Sequence, residues 1–95
     1  MDKREKLDGM DKILRELDDL KNSETSVLKK IAQIEAENIN LGVGLLDQTL
    51  PDVHENIDKA IAEIDQIIGK FTEHRNKFSK DNKLEEPAEE ASGES

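Results

Sequence analysis

Apolar residues recur at alternating steps of three and four along the first half of the chain, and neither Gly nor Pro occurs from position 10 to position 41. Such spacing places the apolar side chains on one face of a helix, whereas a half-buried strand needs a repeat of two. The pattern therefore predicts a long amphipathic helix from about residue 4 to about residue 47. Because the repeat lasts about five heptads, it favours an all-α, coiled-coil fold.

Two polar residues interrupt this repeat, Glu24 and Asn38. With Met10 at heptad position a, both of them occupy a positions. A lone Asn at an a position favours a paired helix in one register, because a mismatch leaves its amide without hydrogen bonds. The other interpretation is a partly exposed Asn near a frayed helix end.

A second helix is predicted from residue 50 to residue 79. Thr49 is a suitable N-cap, and Pro51 falls in what would be the first turn, where a missing N–H costs nothing. Because the link between the helices is short, they should run antiparallel as a helical hairpin. The apolar stripe of this second helix is wide and favours more than one neighbouring helix, so we expect hairpins to assemble into a bundle.

One segment leaves an alternative open. The run Asn22-Ser23-Glu24-Thr25-Ser26 contains side chains that compete for backbone hydrogen bonds. A chain break near Ser23 would give a three-helix bundle instead of a hairpin with one long first helix.

The composition changes at residue 81. Residues 81–95 contain six acids, one Lys and a single large apolar side chain. Such a segment buries too little apolar surface to offset the conformational entropy lost on ordering. We therefore predict one helical domain over residues 1–80 and a disordered acidic tail over residues 81–95. Whether the tail docks on a basic surface is open.

Composition excludes several classes of function. The chain has no Cys, Trp or Tyr, which argues against disulfides, thiol chemistry and aromatic stacking platforms. A net charge of -9 repels nucleic acid. His54 and His74 are 20 residues apart, about 30 Å along a helix, so they cannot share a metal ion. We expect no catalytic residues, cofactor, metal site or nucleic-acid partner, and thus no enzyme.

No apolar run reaches the roughly 20 residues that span a bilayer. The first residues, Met1 to Lys6, also lack the apolar stretch of a signal peptide. We expect a cytoplasmic protein without a membrane span, with secretion that needs no leader as an open alternative.

What remains is the apolar repeat itself, here called the interaction seam. It predicts a protein-protein interaction module, an adaptor or scaffold, that binds itself and other proteins through this seam. Charged residues beside it, such as Glu16 with Lys21 and Lys30 with Glu35, match a parallel pair of helices. The interaction seam comprises Met10, Ile13, Leu17, Leu20, Val27, Ile31, Ile34, Asn38, Leu41, Leu45, Ile57, Ile61, Ile64, Ile68, Phe71 and Phe78.

In size, charge and hairpin layout the chain also resembles the Trp-x-Gly family of type VII secretion. That family has Trp-x-Gly at its turn and an aromatic-x-x-x-acid signal after its second helix. Here the turn region has Leu41-Gly42-Val43-Gly44, Phe71 is followed four residues on by Arg75, and Phe78 by Asn82. The resemblance implies a small secreted substrate or accessory protein as the alternative function.

Overall fold

The chain forms two long antiparallel helices joined by a tight turn. The structure is a computed structural model that describes residues 1–84. Helix α1 spans Lys3–Leu41 and helix α2 spans Gly44–Asp81. The predicted helical hairpin is therefore confirmed, as an extended body of 64 × 21 × 19 Å.

Helix α1 begins with a capping box that was not predicted. The Asp2 carboxylate accepts a hydrogen bond from the Glu5 N–H at 2.8 Å, and the Glu5 carboxylate accepts one from the Asp2 N–H at 2.9 Å. Together the two bonds satisfy donors that a helix start leaves unpaired. They fix the beginning of the helix at Lys3.

Helix α1 continues without a break through the polar segment around Ser23. The Thr25 hydroxyl donates to the carbonyl of Lys21 at 2.9 Å, one turn back along the same helix. This bond satisfies the hydroxyl without drawing the backbone out of the helix. The three-helix alternative is therefore wrong.

The turn comes six residues earlier than the sequence predicts. Gly42 ends α1 with φ of 68°, a left-handed conformation that glycine adopts without a side-chain penalty. Val43 then serves as the N-cap of α2, so Thr49 and Pro51 lie inside that helix rather than at its beginning. The predicted limits of the two helical arms, 4–47 and 50–79, are corrected accordingly.

Helix α2 ends at Asp81 and is closed by the residues that follow. Lys83 has φ of 55°, and the Leu84 N–H donates to the carbonyl of Ser79 at 2.7 Å. This pattern satisfies carbonyls that a helix end leaves free. The first four residues of the predicted disordered tail, 81–84, are therefore an ordered helix end, which corrects the predicted boundary. The remaining residues of that predicted tail, 85–95, lie outside the part of the chain that the structure describes.

Two inner rows of α1 face α2, and only the second of them was predicted as part of the core. Buried or half-buried residues recur every seven positions in each row. Within residues 1–84, Leu7 and Ile31 are the only fully buried apolar side chains, so the core between the helices is thin. The first inner row is Leu7, Leu14, Lys21, Leu28 and Glu35, and the second inner row is Met10, Leu17, Glu24, Ile31 and Asn38.

Candidate functional site

The two long edges of the hairpin differ in chemistry. Along one of them, here called the polar edge, three side-chain pairs link α1 to α2. Arg75 donates to both carboxylate oxygens of Asp11 at 2.7 and 3.2 Å, in the bidentate geometry that suits this pair. The other two links are Lys21 with Asp65 at 2.6 Å and His54 with Glu35 at 2.8 Å.

The link between Lys21 and Asp65 changes the ionisation of the lysine. The hydrogen bond and the charge of Asp65 raise the pKa of Lys21 above its ordinary value of 10.5, and the more distant Asp18 acts in the same direction. Partial desolvation opposes the shift without reversing it. Lys21 is therefore a cation at physiological pH and holds the middle of the polar edge.

The opposite edge carries an exposed row of apolar side chains on α1. Ile13, Leu20, Val27 and Ile34 recur every seven residues, and between 37 and 47% of each is exposed. Leu41 continues the row at the turn and is exposed as well. Each of these residues follows a member of the second inner row by three positions, so the row lies beside the helix-helix contact, away from the polar links.

Helix α2 carries a matching row on the same side. Val53, Ala60 and Ile67 follow one another at seven-residue steps, with Val53 and Ile67 exposed and Ala60 half-buried. The polar links involve His54 and Arg75, which lie on the other side of the helix axis from this row. The two apolar rows therefore lie on one edge, the apolar edge, formed by Ile13, Leu20, Val27, Ile34, Leu41, Val53, Ala60 and Ile67.

The interaction seam predicted on α1 is thus divided between two environments. Its predicted a positions from Met10 to Asn38 pack against α2, whereas its d positions form the exposed row of the apolar edge. Leu45, the last predicted a position, is exposed at the start of α2. The residues of α2 that were predicted as part of the interaction seam are all half-buried on its α1-facing side: Ile57, Ile61, Ile64, Ile68, Phe71 and Phe78.

Asn38 is explained by neither of the two interpretations offered by the sequence. Its side chain is 3% exposed, so it is not a solvated residue at a frayed end. Its amide donates to the Val43 carbonyl at 3.2 Å and to the Asp47 carboxylate at 2.9 Å, and its oxygen accepts from the Val43 N–H at 2.9 Å. The amide therefore closes the turn within one chain, and a paired helix is not needed to satisfy it.

The charges expected to select a parallel pair have other partners. Lys21 and Glu35 were assigned to Glu16 and Lys30 of a second helix, yet both contact α2 of the same chain. Glu16 and Lys30 remain on the exposed flank of the apolar edge, each one turn before an apolar residue of that edge. They stay available to a partner, in a different pairing from the predicted one.

Within residues 1–84, no group of His, Asp and Glu side chains is arranged to hold a metal ion. His74 instead stacks on the ring of Phe71 with centroids 6.1 Å apart. An open groove at the free end of the hairpin contains Arg75 and the Ser79 hydroxyl, which is buried without a hydrogen-bond partner. The guanidinium of Arg75 is engaged by Asp11, and among the described residues no general base contacts the Ser79 hydroxyl.

Neither helix, over the described residues, is long and apolar enough to cross a membrane. No protein-family model, curated protein or solved structure matches the chain.

Proposed function

We propose that this chain is a non-enzymatic interaction module, an adaptor or scaffold, that associates with itself and with other proteins through the apolar edge. The observation that carries the proposal is the exposed row of Ile13, Leu20, Val27 and Ile34 at heptad spacing. Scattered exposed apolar residues are common on protein surfaces, but contiguous apolar strips mark interaction sites.

The asymmetry of the hairpin supports this function. Ion pairs between the helices all lie on the polar edge, so polar side chains cover the helix-helix contact on that side. On the apolar edge no ion pair between the described helices covers the contact, and most side chains beside it are apolar. A further helical layer there would bury both apolar rows and complete a core that is thin in the single hairpin.

The non-enzymatic part of the proposal rests on the available chemistry. Catalysis requires a nucleophile, or an acid and a base, positioned in a site that excludes water. Asp11, Glu35 and His54 instead form ion pairs along the polar edge, and His74 stacks on Phe71. A binding role, by contrast, requires only an exposed surface, which the two long amphipathic helices provide.

The test is whether a charge on the apolar edge prevents self-association. We expect sedimentation velocity to give an oligomer for the unaltered chain as its concentration rises from about 1 to 100 µM, a range typical of modest interfaces. Val27→Glu should shift the protein to monomer, because it places a carboxylate in the middle of the buried strip. Circular dichroism checks that the helices persist.

Ser26→Glu is the matched control for this experiment. It adds the same charge at the neighbouring exposed position, which points away from α2 and from the apolar edge. Its oligomer should match that of the unaltered chain. A helical monomer at every concentration for the unaltered chain would contradict the self-association in this proposal.

The secretion alternative keeps one supporting observation, since α1 and α2 have 39 and 38 residues and a tight turn between them. We propose it as the second candidate because such a hairpin resembles the type VII substrates in layout. Recovery of the chain outside intact producing cells would favour it. The cytoplasmic compartment stays a prediction.

A further inference from the structure

We propose that the occupant of the apolar edge is a second copy of this chain, placed so that α1 of each copy lies over α2 of the other and both turns are at the same end. The product is an antiparallel four-helix bundle. This inference rests on the proposed self-association and adds the identity and orientation of the partner.

The size of the apolar edge suits a second copy. From Ile13 to Leu41 the strip is about 42 Å long at 1.5 Å per residue. The hairpin is 21 Å wide, so two copies face to face bury roughly 800 Å² each, the area that each partner contributes to a typical stable interface. A second hairpin is equally long and wide and covers the strip from end to end.

The heights of the apolar residues favour one orientation. The polar links place Asp11 level with Arg75 and Lys21 level with Asp65. Leu20 is therefore level with Ile67 in the same chain. When α1 lies over the α2 of a second copy and both turns are at the same end, residues that are level within one chain are also level between the two copies. Leu20 therefore meets Ile67 of the other copy.

The same orientation aligns the residues farther along the strip. Glu35 is level with His54, so Ile34 meets Val53 of the second copy. Between these layers, Val27 meets Ala60, which leaves room for the larger side chain. Each contact thus brings apolar side chains from both copies together.

The flanking charges agree with this orientation. Glu16 and Lys70 each lie three residues after a member of the row on its own helix, Ile13 and Ile67 respectively, on the outer flank of the apolar edge. They are at matching heights, so Glu16 of one copy faces Lys70 of the other, twice in the bundle. Ser23 faces Glu63, which adds no repulsion.

The opposite orientation, with the turns at opposite ends, brings like charges together. It lays α1 over α1, and full overlap of the two apolar rows places the centre at Val27, which is level with Ala60. On the outer flank, Glu16 of each copy then faces Glu37 of the other, and like charges repel. The attraction between Glu16 and Lys70 is lost in that orientation.

Disulfide formation between copies tests the orientation, since the chain has no native Cys. Two single variants, Glu16→Cys and Lys70→Cys, are purified separately, mixed, exchanged and oxidised. We expect a covalent dimer from the mixture and none from either variant alone, because each of these positions faces the other one across the interface. A gel under non-reducing conditions reads the result.

Glu16→Cys mixed with Glu37→Cys is the comparison that detects the opposite orientation. In the proposed bundle these two positions are 21 residues apart in height, about 30 Å along the helix, and do not link. A covalent dimer from this mixture, with none from Glu16→Cys mixed with Lys70→Cys, would overturn this inference and leave self-association standing. A sedimenting monomer with no covalent dimer in any sample would contradict both proposals, and dimers in every sample would show that no single orientation exists.

Discussion

Asn38 shows how a polar residue in a helical repeat takes its meaning from partners that the repeat does not reveal. Its hydrogen-bond partners, Val43 and Asp47, lie five and nine residues further along the chain, beyond the end of α1. The heptad pattern identifies the position as inward-facing, which is correct. The pattern cannot tell whether the amide meets a second chain or its own turn, since both satisfy the same hydrogen bonds.

We expect Asn38→Ile to destabilise the hairpin. The change removes three hydrogen bonds and leaves the Val43 N–H without its side-chain acceptor, at a cost of about 1–3 kcal/mol in the free energy of unfolding. A lower urea midpoint would agree. Asn40→Ile is the control, because Asn40 is exposed two residues on and should change stability little. A higher midpoint for Asn38→Ile, as expected of a residue at an interface between two chains, would contradict the structure.

The raised pKa of Lys21 makes the stability of the polar edge depend on alkaline pH. Because the pKa is higher in the folded than in the unfolded chain, the pairing with Asp65 stabilises the fold at pH below 10.5 and is lost as the pH rises through the raised value. Asp65→Asn should therefore lower the melting temperature at pH 8 and have a smaller effect at strongly alkaline pH.

Lys21→Arg separates this effect from the general loss of lysine charge. Arginine stays charged at alkaline pH, so this variant should keep the contribution of Asp65 where the unaltered chain loses it. Melting temperatures of the four combinations of Lys or Arg at 21 with Asp or Asn at 65 give the comparison. Equal effects of Asp65→Asn at both pH values in the Lys21 background would refute the assignment.

At the scale of the helices, the hairpin and its second inner row could be predicted from the sequence, but its turn and its first inner row could not. The turn was predicted too far along the chain because Pro51 matches a helix start. Gly42, directly after an apolar helix, was the correct signal for a helix end. The first inner row was missed for a different reason. The first inner row contains Lys21 and Glu35, and these charges hid the apolar members Leu7, Leu14 and Leu28.

The face that α1 turns toward α2 is rotated only slightly from the predicted face, but this small rotation decides which residues are exposed. Steps of three and four from Leu7 to Met10 to Leu14 fit a heptad as well as steps from Met10 to Ile13 to Leu17. Only the partners on α2, Asp65 for Lys21 and His54 for Glu35, decide between them. The predicted d positions then form the exposed row, so residues predicted to lie in the core become a candidate interaction surface.

Two glycines provide a test of the turn because their backbones differ. Gly42 has φ of 68°, so Gly42→Ala should destabilise the hairpin by about 1 kcal/mol through left-handed strain. Gly69 lies within α2 with open space around it, so Gly69→Ala should stabilise by about 0.5–1 kcal/mol. Thermal melting of the two variants should therefore move in opposite directions. Two shifts of the same sign would place the turn elsewhere.

For the molecule as a whole, charge and apolar surface act against each other. The chain carries a net charge of -9, and five of its acids lie in residues 85–95, so residues 1–84 carry -4. Two copies that meet at the apolar edge must overcome this mutual repulsion. Within one copy, by contrast, the links of the polar edge are attractive. Salt weakens both interactions, so its effects on folding and on self-association should have opposite signs.

We expect added salt to strengthen self-association while slightly lowering the stability of the single hairpin. Raising the ionic strength from about 0.01 to 1 M shortens the screening length from roughly 30 to 3 Å, so repulsion between copies fades while apolar contact remains. Sedimentation velocity measures the association, and the monomeric variant Val27→Glu measures hairpin stability alone. A chain ending at Leu84 carries less charge and should show a smaller salt effect on association. Weaker association at high salt would mean that ion pairs, rather than the apolar edge, hold the copies together.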